Sequence, residues 1–498
     1  MLRVLMAIVV GIMIADRWAF PLWSEAVGFV FLVGGAWLWR RRAVANIYVL
    51  MAAAVLAMFT STLTRPDLTM PARGELMEVV VDDITAHRAE YTSARGRVVS
   101  IGDGESCATQ VRLNIDPAAD VAVGEKITGC FPFTPLTRHS EHSVERYLAR
   151  QGVVATLYIT PQSIMHRSQS APTLGQRLRL SAQQRIARLG LTPDAESLVR
   201  GVTTGDRSTI QPSLRNTYTL SGAGHLLAVS GLHIGFIFFI VNMATTALAL
   251  LRRGPLLRCL VAIVAIWLYA AMAGFGPSVV RAGVMFTLLQ MAMLGSRRGD
   301  GLNTLALTAC VMLLWDSRWL YDAGFVMSFL SVAAIVEWGI PLTRLRVIGS
   351  DRLPRLRAGE MRGYIVFIIR RIGRKVWSAI AITIVASVAT MPIVSHYFGV
   401  VTLWSIVVGP LMVWLCCIVV AVTMLYVVAG FGPVAPLASV TIEWAASTMN
   451  DIATWCASHP SLIFPLRLDT TFCLVAYLIF ALITIALWSR SDFINRGN

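Results

Sequence analysis

Two imidazoles and a hydroxyl fall within nine residues in HLLAVSGLHIG, His225 to Gly235, at the edge of a long apolar run. Histidine can take or release a proton near neutral pH. Ionisable and polar groups set among lipid-facing residues usually mark a wet path or a reaction centre. Downstream, GFGPSVVRAG carries Arg281, with Asp316 and Asp322 on later segments as candidate counter-ions. Paired, Arg281 is structural; facing a pore, it attracts phosphate. The bland alternative is that both histidines only bond to carbonyls of neighbouring helices.

The elements that position these groups follow from spacing. Read as one helix, Gly224, Ala228, Gly231 and Gly235 form a small-residue stripe that lets backbones pack closely in lipid. His225, Val229 and His233 then share a neighbouring face, with Ser230 one turn from His233. In the second stretch Gly274, Gly276 and Pro277 should break the backbone, and Pro277 can open the next helix. Broken helices at membrane depth are tolerated only inside protein or beside a cavity.

Composition places all this in a membrane. The chain is 56% hydrophobic and 14% charged, with a mean hydropathy of +0.65, where soluble domains carry about a quarter charged residues. Eleven apolar stretches recur from Leu2–Ala15 to Thr471–Trp488; a span needs about 20 residues. The first is expected to be a retained anchor, because no small-residue cleavage site follows it. Net charge is +15, with Lys126 and Lys375 the only lysines. Residues 65–170 hold eleven basic against thirteen acidic residues, and the remainder holds 32 against 15. Most of that excess sits in short loops (Arg40–Arg42, Arg252/Arg253, Arg297/Arg298, Arg344–Lys375), as the positive-inside rule requires. With those loops in the cytoplasm, 65–170 is delivered to the far side.

The expected organisation is three N-terminal spans (1–64), a polar β domain (65–170), a connector (171–224) and a membrane core (225–490) with about 10–12 spans in all. In the polar domain CATQVRLNI alternates Val111, Leu113 and Ile115 with polar neighbours, and three further stretches read as short strands. One helix ends at Gly152, a candidate C′ residue. Four or five strands and one helix suit a small barrel of the OB type. Cys107 and Cys130 lie on predicted strands; a disulfide would contribute about 3 kcal/mol, and two buried thiols are the alternative. The connector, with Leu178, Ile186 and Leu189 on one side and Arg177, Arg179, Arg185 and Arg188 supplying charge, is expected to lie on the membrane surface.

Six blocks then carry a resemblance: TGDRSTI from Thr204, SGAGHLLAVSGLHIG from Ser221, PSVVRAGVM from Pro277, RRGDGLNTLALTA from Arg297, YDAGFVMSFLSVAAI from Tyr321 and MPIVSHYFG from Met391. In order and spacing they resemble the ComEC family, bacterial inner-membrane proteins for DNA internalisation. The resemblance implies passage of single-stranded DNA across the inner membrane in natural transformation, with 65–170 periplasmic. The expected strand path is His225, Ser230, His233, Arg281 and Asp322. Implied partners are single-stranded DNA, membrane lipid, an outer DNA-delivery protein, a cytoplasmic helicase or motor and a separate nuclease. Many members continue into a metallo-β-lactamase-like domain. None of the eight histidines here forms HxHxDH, so no zinc nuclease is expected, nor any cofactor or metal. VVGPLMVW stands where members often carry an asparagine pair.

No GxxxxGK[ST] is present, so energy is expected from a partner or a proton gradient. Two other classes compete. AVSG approaches the GxSG of rhomboid-type proteases, with Ser230 as nucleophile and His396 as base; Ala228 in place of the first glycine weighs against it. The other is an exporter or scaffold for an envelope polymer. Val434–Cys456, with Glu443 and Asp451, reads either as a surface helix or as a polar span.

Overall fold

The computed structural model describes residues 1–18, 21–38, 44–64, 76–87, 90–102, 105–136, 143–170, 172–294, 301–343, 361–430, 432 and 435–495. The arginines of three of the loops used above, Arg40–Arg42, Arg297/Arg298 and those of 344–360, lie outside them. The chain is mostly helical and begins with α1 (Leu2–Arg17), α2 (Leu22–Leu38) and α3 (Val44–Leu63). Gly11 lets α1 approach α3 so closely that a β-carbon would collide with the Ala54 carbonyl.

Next comes a β region. Strands β1 (Met77–His87), β2 (Thr92–Ile101), β3 (Glu105–Ile115), β4 (Glu125–Gly129) and β5 (Phe133–Pro135) precede helix α4 (Ser143–Arg150). Strands β6 (Val153–Ile159) and β7 (Ile164–Gln169) follow it. They form one sheet in the order β5-β6-β3-β2-β1-β4-β7, antiparallel except for β3 beside β6. Period-two alternation buries Val111, Leu113 and Ile115 of β3 with Ala155, Leu157 and Ile159 of β6, and Val79, Val81 and Ile127 join them. Among the described residues the expected OB-type barrel does not close, since no ladder joins β5 to β7. Pro132, without an N–H to donate, lies in the break between β4 and β5. Gly152 has φ +87°, as expected two residues past the end of α4. Cys107 lies on β3, but its side chain is outside the described residues, and with it the expected disulfide to Cys130.

The chain continues through α5 (Leu174–Ala187), α6 (Pro193–Thr204), α7 (Pro212–Leu220), a 3-10 turn at Gly224–Leu227, α8 (Gly231–Ala244), α9 (Gly254–Met272) and α10 (Pro277–Leu294). Then come α11 (Gly301–Trp315), α12 (Ala323–Ala334), α13 (Ile340–Thr343) and α14 (Met361–Phe398). The chain ends with β8 (Val400–Thr402), α15 (Trp404–Ala429), α16 (Ala435–Ser458), β9 (Ile463–Pro465) and α17 (Thr470–Asn495). Five described helices are long and apolar enough to cross a membrane: Ala45–Leu63, Gly254–Met272, Ala323–Thr343 (α12 continued into α13 through a π turn at Ile335–Gly339), Ile369–Phe398 and Trp404–Ala429. Four more apolar helices run 10–17 residues; at about 1.5 Å per residue these fall short of about 30 Å of hydrocarbon.

These elements form two units. The first is Met1–Gln211, Leu227–Phe325 and Ile418–Ala446. Within it α8, α9 and α10 pack on one another, and α5 packs on α9 and α6. The second unit is Pro212–Leu226, Val326–Cys417 and Ser447–Asn498. There Ser395 Oγ donates to the Leu466 carbonyl and the Tyr218 hydroxyl donates to Asn450 Oδ1 at 2.9 Å.

Two expectations are corrected. Gly224–Gly235 is not one helix: a 3-10 turn ends at Leu227, Ala228–Ser230 are non-helical, and α8 starts at Gly231. The stripe Gly224, Ala228, Gly231, Gly235 therefore does not exist as a single seam. The connector is also not simply a surface helix, because Ala182 and Ile186 are buried and its arginines reach into the fold.

Candidate functional site: an interrupted layer in the first unit

Serine at position 230 ends the non-helical stretch and caps α8, where its extended φ of −112° turns the chain into the helix. His233, three residues on, reaches back: its Nδ1 accepts the Ser230 backbone N–H at 3.2 Å. An accepting Nδ1 on a neutral ring leaves the proton on Nε2. His233 is fully buried. It satisfies one of the helix's otherwise unpaired N-terminal donors, a task usually given to Glu or Gln.

What remains of the glycine seam lies on α8 and faces α10. A β-carbon on Gly231 would sit 3.2 Å from Arg281 Nη2 and 3.4 Å from Ala282 Cβ; one on Gly235 would sit 3.0 Å from Phe286. Arg281 is 3% exposed and packs against the start of α8. Neither expected counter-ion is its partner. Asp316 binds Arg318 at 2.8 Å. Asp322 caps α12 by accepting the Phe325 N–H at 2.7 Å and also accepts from Gln151 at 2.8 Å and Tyr147 at 3.4 Å. Asp322 thus ties α4 of the β region to the first turn of α12.

A second interruption adjoins the first. Gly274 and Phe275 both have positive φ, +82° and +53°, between α9 and α10. For Phe275 the left-handed region is an outlier held by its surroundings. Ser278 Oγ donates to the Val229 carbonyl at 2.9 Å, binding the start of α10 to the stretch before α8. Gly205, with φ +77° just after α6, closes the layer; a β-carbon there would lie 2.9 Å from the Ala273 carbonyl and 3.7 Å from Val229. Gly205 belongs to the TGDRSTI block, whose Asp206 accepts from Gln183 at 2.7 Å and from Ser208 at 2.6 Å.

Residues of α5 complete the layer, and here sequence reasoning missed roles. Arg179 donates to the Met272 carbonyl at 2.9 Å, capping α9, and to Asp83 of β1 at 3.1 Å. Arg185 donates to the Val427 carbonyl near the end of α15. Cations at helix C-termini satisfy free carbonyls and complement the helix dipole. Glu443 of α16 does the converse for α6, accepting the Thr192 N–H at 3.1 Å and its hydroxyl at 2.7 Å. A further polar cluster holds α4: Arg150 lies 4.0 Å from Asp16 and 4.9 Å from the Tyr321 ring.

The remaining named residues lie in the second unit. His225, on the 3-10 turn, keeps an exposed edge while its ring hydrogen-bonds the Gly222 backbone among close-packed neighbours. His396 Nδ1 is 2.9 Å from the Leu468 carbonyl, so it helps tie the segment after β9 to the end of α14. Among the described residues, no group of three or more His, Cys, Asp or Glu is arranged to hold a metal ion.

Comparison with known proteins agrees with the motif blocks. The family described as Competence protein matches residues 202–491, more than half of the chain. The chain is similar to ComE operon protein 3 of Bacillus subtilis (strain 168), 31% identical over 139 residues, or 28% of this chain and 18% of that protein. It is also similar to the uncharacterized protein YcaI of Escherichia coli (strain K12), 25% identical over 152 residues, or 28% of this chain and 19% of that protein. The alignments thus span less than a fifth of either relative's length. No solved structure matches the chain.

Proposed function

Because this chain belongs to the competence protein family, we propose that it passes single-stranded DNA across a bacterial inner membrane during natural transformation. The family match over 202–491 carries the reading. The interrupted layer around Val229 and Phe275 supports it, since non-helical backbone among spans is tolerated where it is buried in protein or lines a cavity. A bare strand, charged at every phosphate, needs such a route.

In this reading His225, whose imidazole keeps an exposed edge, meets the strand. Ser230, His233 and Arg281 shape the layer, as their capping and packing suggest. Asp322 holds the β region on α12 rather than lining the route. About 10–12 spans remain our reading of the apolar stretches in the sequence, more than the five long and four shorter apolar helices among the described residues, and positive-inside loops put residues 65–170 in the periplasm. That region is OB-like in our reading: β4, paired with β1, and β5, paired with β6, are two halves of one strand broken at Cys130–Pro132, and β3 runs parallel to β6. Delivery protein, motor and nuclease are separate partners. Domain limits stay at 64, 170 and 224.

A photo-crosslinking residue at position 225 in competent cells given labelled DNA tests the assignment. Adducts with single-stranded DNA are expected there and not at Phe239, an exposed position on α8. Equal labelling at both positions, or none at 225, contradicts it.

A further inference from the structure

The outward face of the β region carries a site that the DNA reading does not use. Alternation that buries Leu113 and Leu157 turns Arg112 and Asn114 of β3, Thr156 and Tyr158 of β6 and Thr134 of β5 the other way. Register sets them side by side: Asn114 opposite Tyr158, Arg112 opposite Thr156, Thr156 opposite Thr134. With Tyr91 and one side of α4 they line a cavity of about 320 Å³, within the size of small-ligand pockets.

Asn114 Oδ1 in that wall is buried and has no hydrogen-bond partner among the described residues. Buried acceptors are rarely left so, and each such group calls for an explanation. A ligand N–H or O–H would satisfy it. The remaining lining is mainly neutral: two phenols and two threonine hydroxyls, with Leu148 of α4 as an apolar floor. Hydroxyls that both give and accept, beside aromatic rings, suit a polyhydroxylated ring with an apolar face.

Charge decides between sugar and nucleic acid. Among the described residues of the lining Arg112 is the one cation and Glu145 lies there too; residues 65–170 hold thirteen acidic against eleven basic residues. Single-strand binding grooves are positively charged along the backbone; the described lining here carries one cation and one anion.

We propose that this face binds glycan chains bearing N-acylated amino sugars, the acyl amide N–H donating to Asn114 Oδ1 and the sugar ring packing on Tyr158. Such a polymer lies outside the inner membrane, so the physiological partner rests on the periplasmic placement above, whereas binding itself does not.

The test uses the full-length protein in detergent, titrated calorimetrically with the N-acetylglucosamine tetramer and mixed with purified murein sacculi. Binding and retention are expected. Tyr158→Ala, at an exposed residue, should weaken the tetramer by about tenfold through the lost ring contact, and Asn114→Ala by about tenfold through the lost hydrogen bond, with melting unchanged. An oligo-dT strand should not displace the tetramer. No binding, equal binding by the Tyr158 variant, or displacement by oligo-dT overturns the proposal. DNA transport is not read, so this idea and the channel reading can fail separately.

Discussion

The β sheet and the interrupted layer keep their polar groups in opposite ways. On the sheet, Arg97 meets Asp82 with side chains 48% and 30% exposed, and Lys126 meets Glu78 at 30% and 25%. Water competes for both partners, so such pairs contribute about 0–1 kcal/mol. In the layer, Arg179 is only 14% exposed and one of its partners is a helix-end carbonyl. His233, fully buried, serves a helix-start N–H. There, removing a partner strands a backbone group that water reaches poorly, which costs about 1–3 kcal/mol. Polar side chains decorate the sheet; in the layer they complete the backbone.

Substitutions can break or sharpen that contrast. The largest effect is expected from Gly205→Ala. Its left-handed φ costs about 1–2 kcal/mol for a residue with a β-carbon. Crowding the Ala273 carbonyl adds about 1–3 kcal/mol. Unfolding in detergent should show the sum; an unchanged midpoint means the layer yields more easily than its geometry implies. Arg179→Met follows, with a loss of about 1.5–3 kcal/mol and faster hydrogen exchange at the end of α9 and around Asp83. Exchange altered at neither place would remove the capping role.

His233→Phe keeps the ring and loses the acceptor, so α8 should fray at a cost of about 1–2 kcal/mol, in the range of a lost cap. His233→Asn should recover part of that. Equal loss in both variants would point to packing instead. The smallest effect belongs to the sheet. The hydrogen bond from Lys126 holds the Glu78 carboxyl below its ordinary value of 4.5. A lowered folded pKa stabilises fully above the unfolded value and is lost as pH falls through the folded one. Sheet stability should therefore drop slightly as pH falls below about 4.5, and the drop should shrink in Lys126→Met; an unaltered pH profile would contradict it.

Legibility in the sequence follows the same divide. Strand alternation at Val111, Leu113 and Ile115 and the Gly152 stop after α4 could be read because their causes are local. Gly274, Gly276 and Pro277 announced the second interruption for the same reason. The break at Ala228–Ser230 stayed hidden. Helical spacing of glycines ran straight through it, and a histidine capping at the third position does not resemble the usual Glu or Gln. The arginines of α5 were visible as charge, but their acceptors lie 93 and 242 residues away in the chain. Asp322 had a wrong partner for that reason too: Gln151 is 171 residues distant.

The central claim, passage of a DNA strand through this chain, is tested most directly by deleting its gene in a naturally transformable host. Labelled DNA is then followed from the nuclease-sensitive exterior into the cytoplasm. The account predicts that surface binding persists while cytoplasmic single-stranded label disappears, and that it returns with the wild-type gene. Undiminished cytoplasmic label in the deletion strain would contradict it.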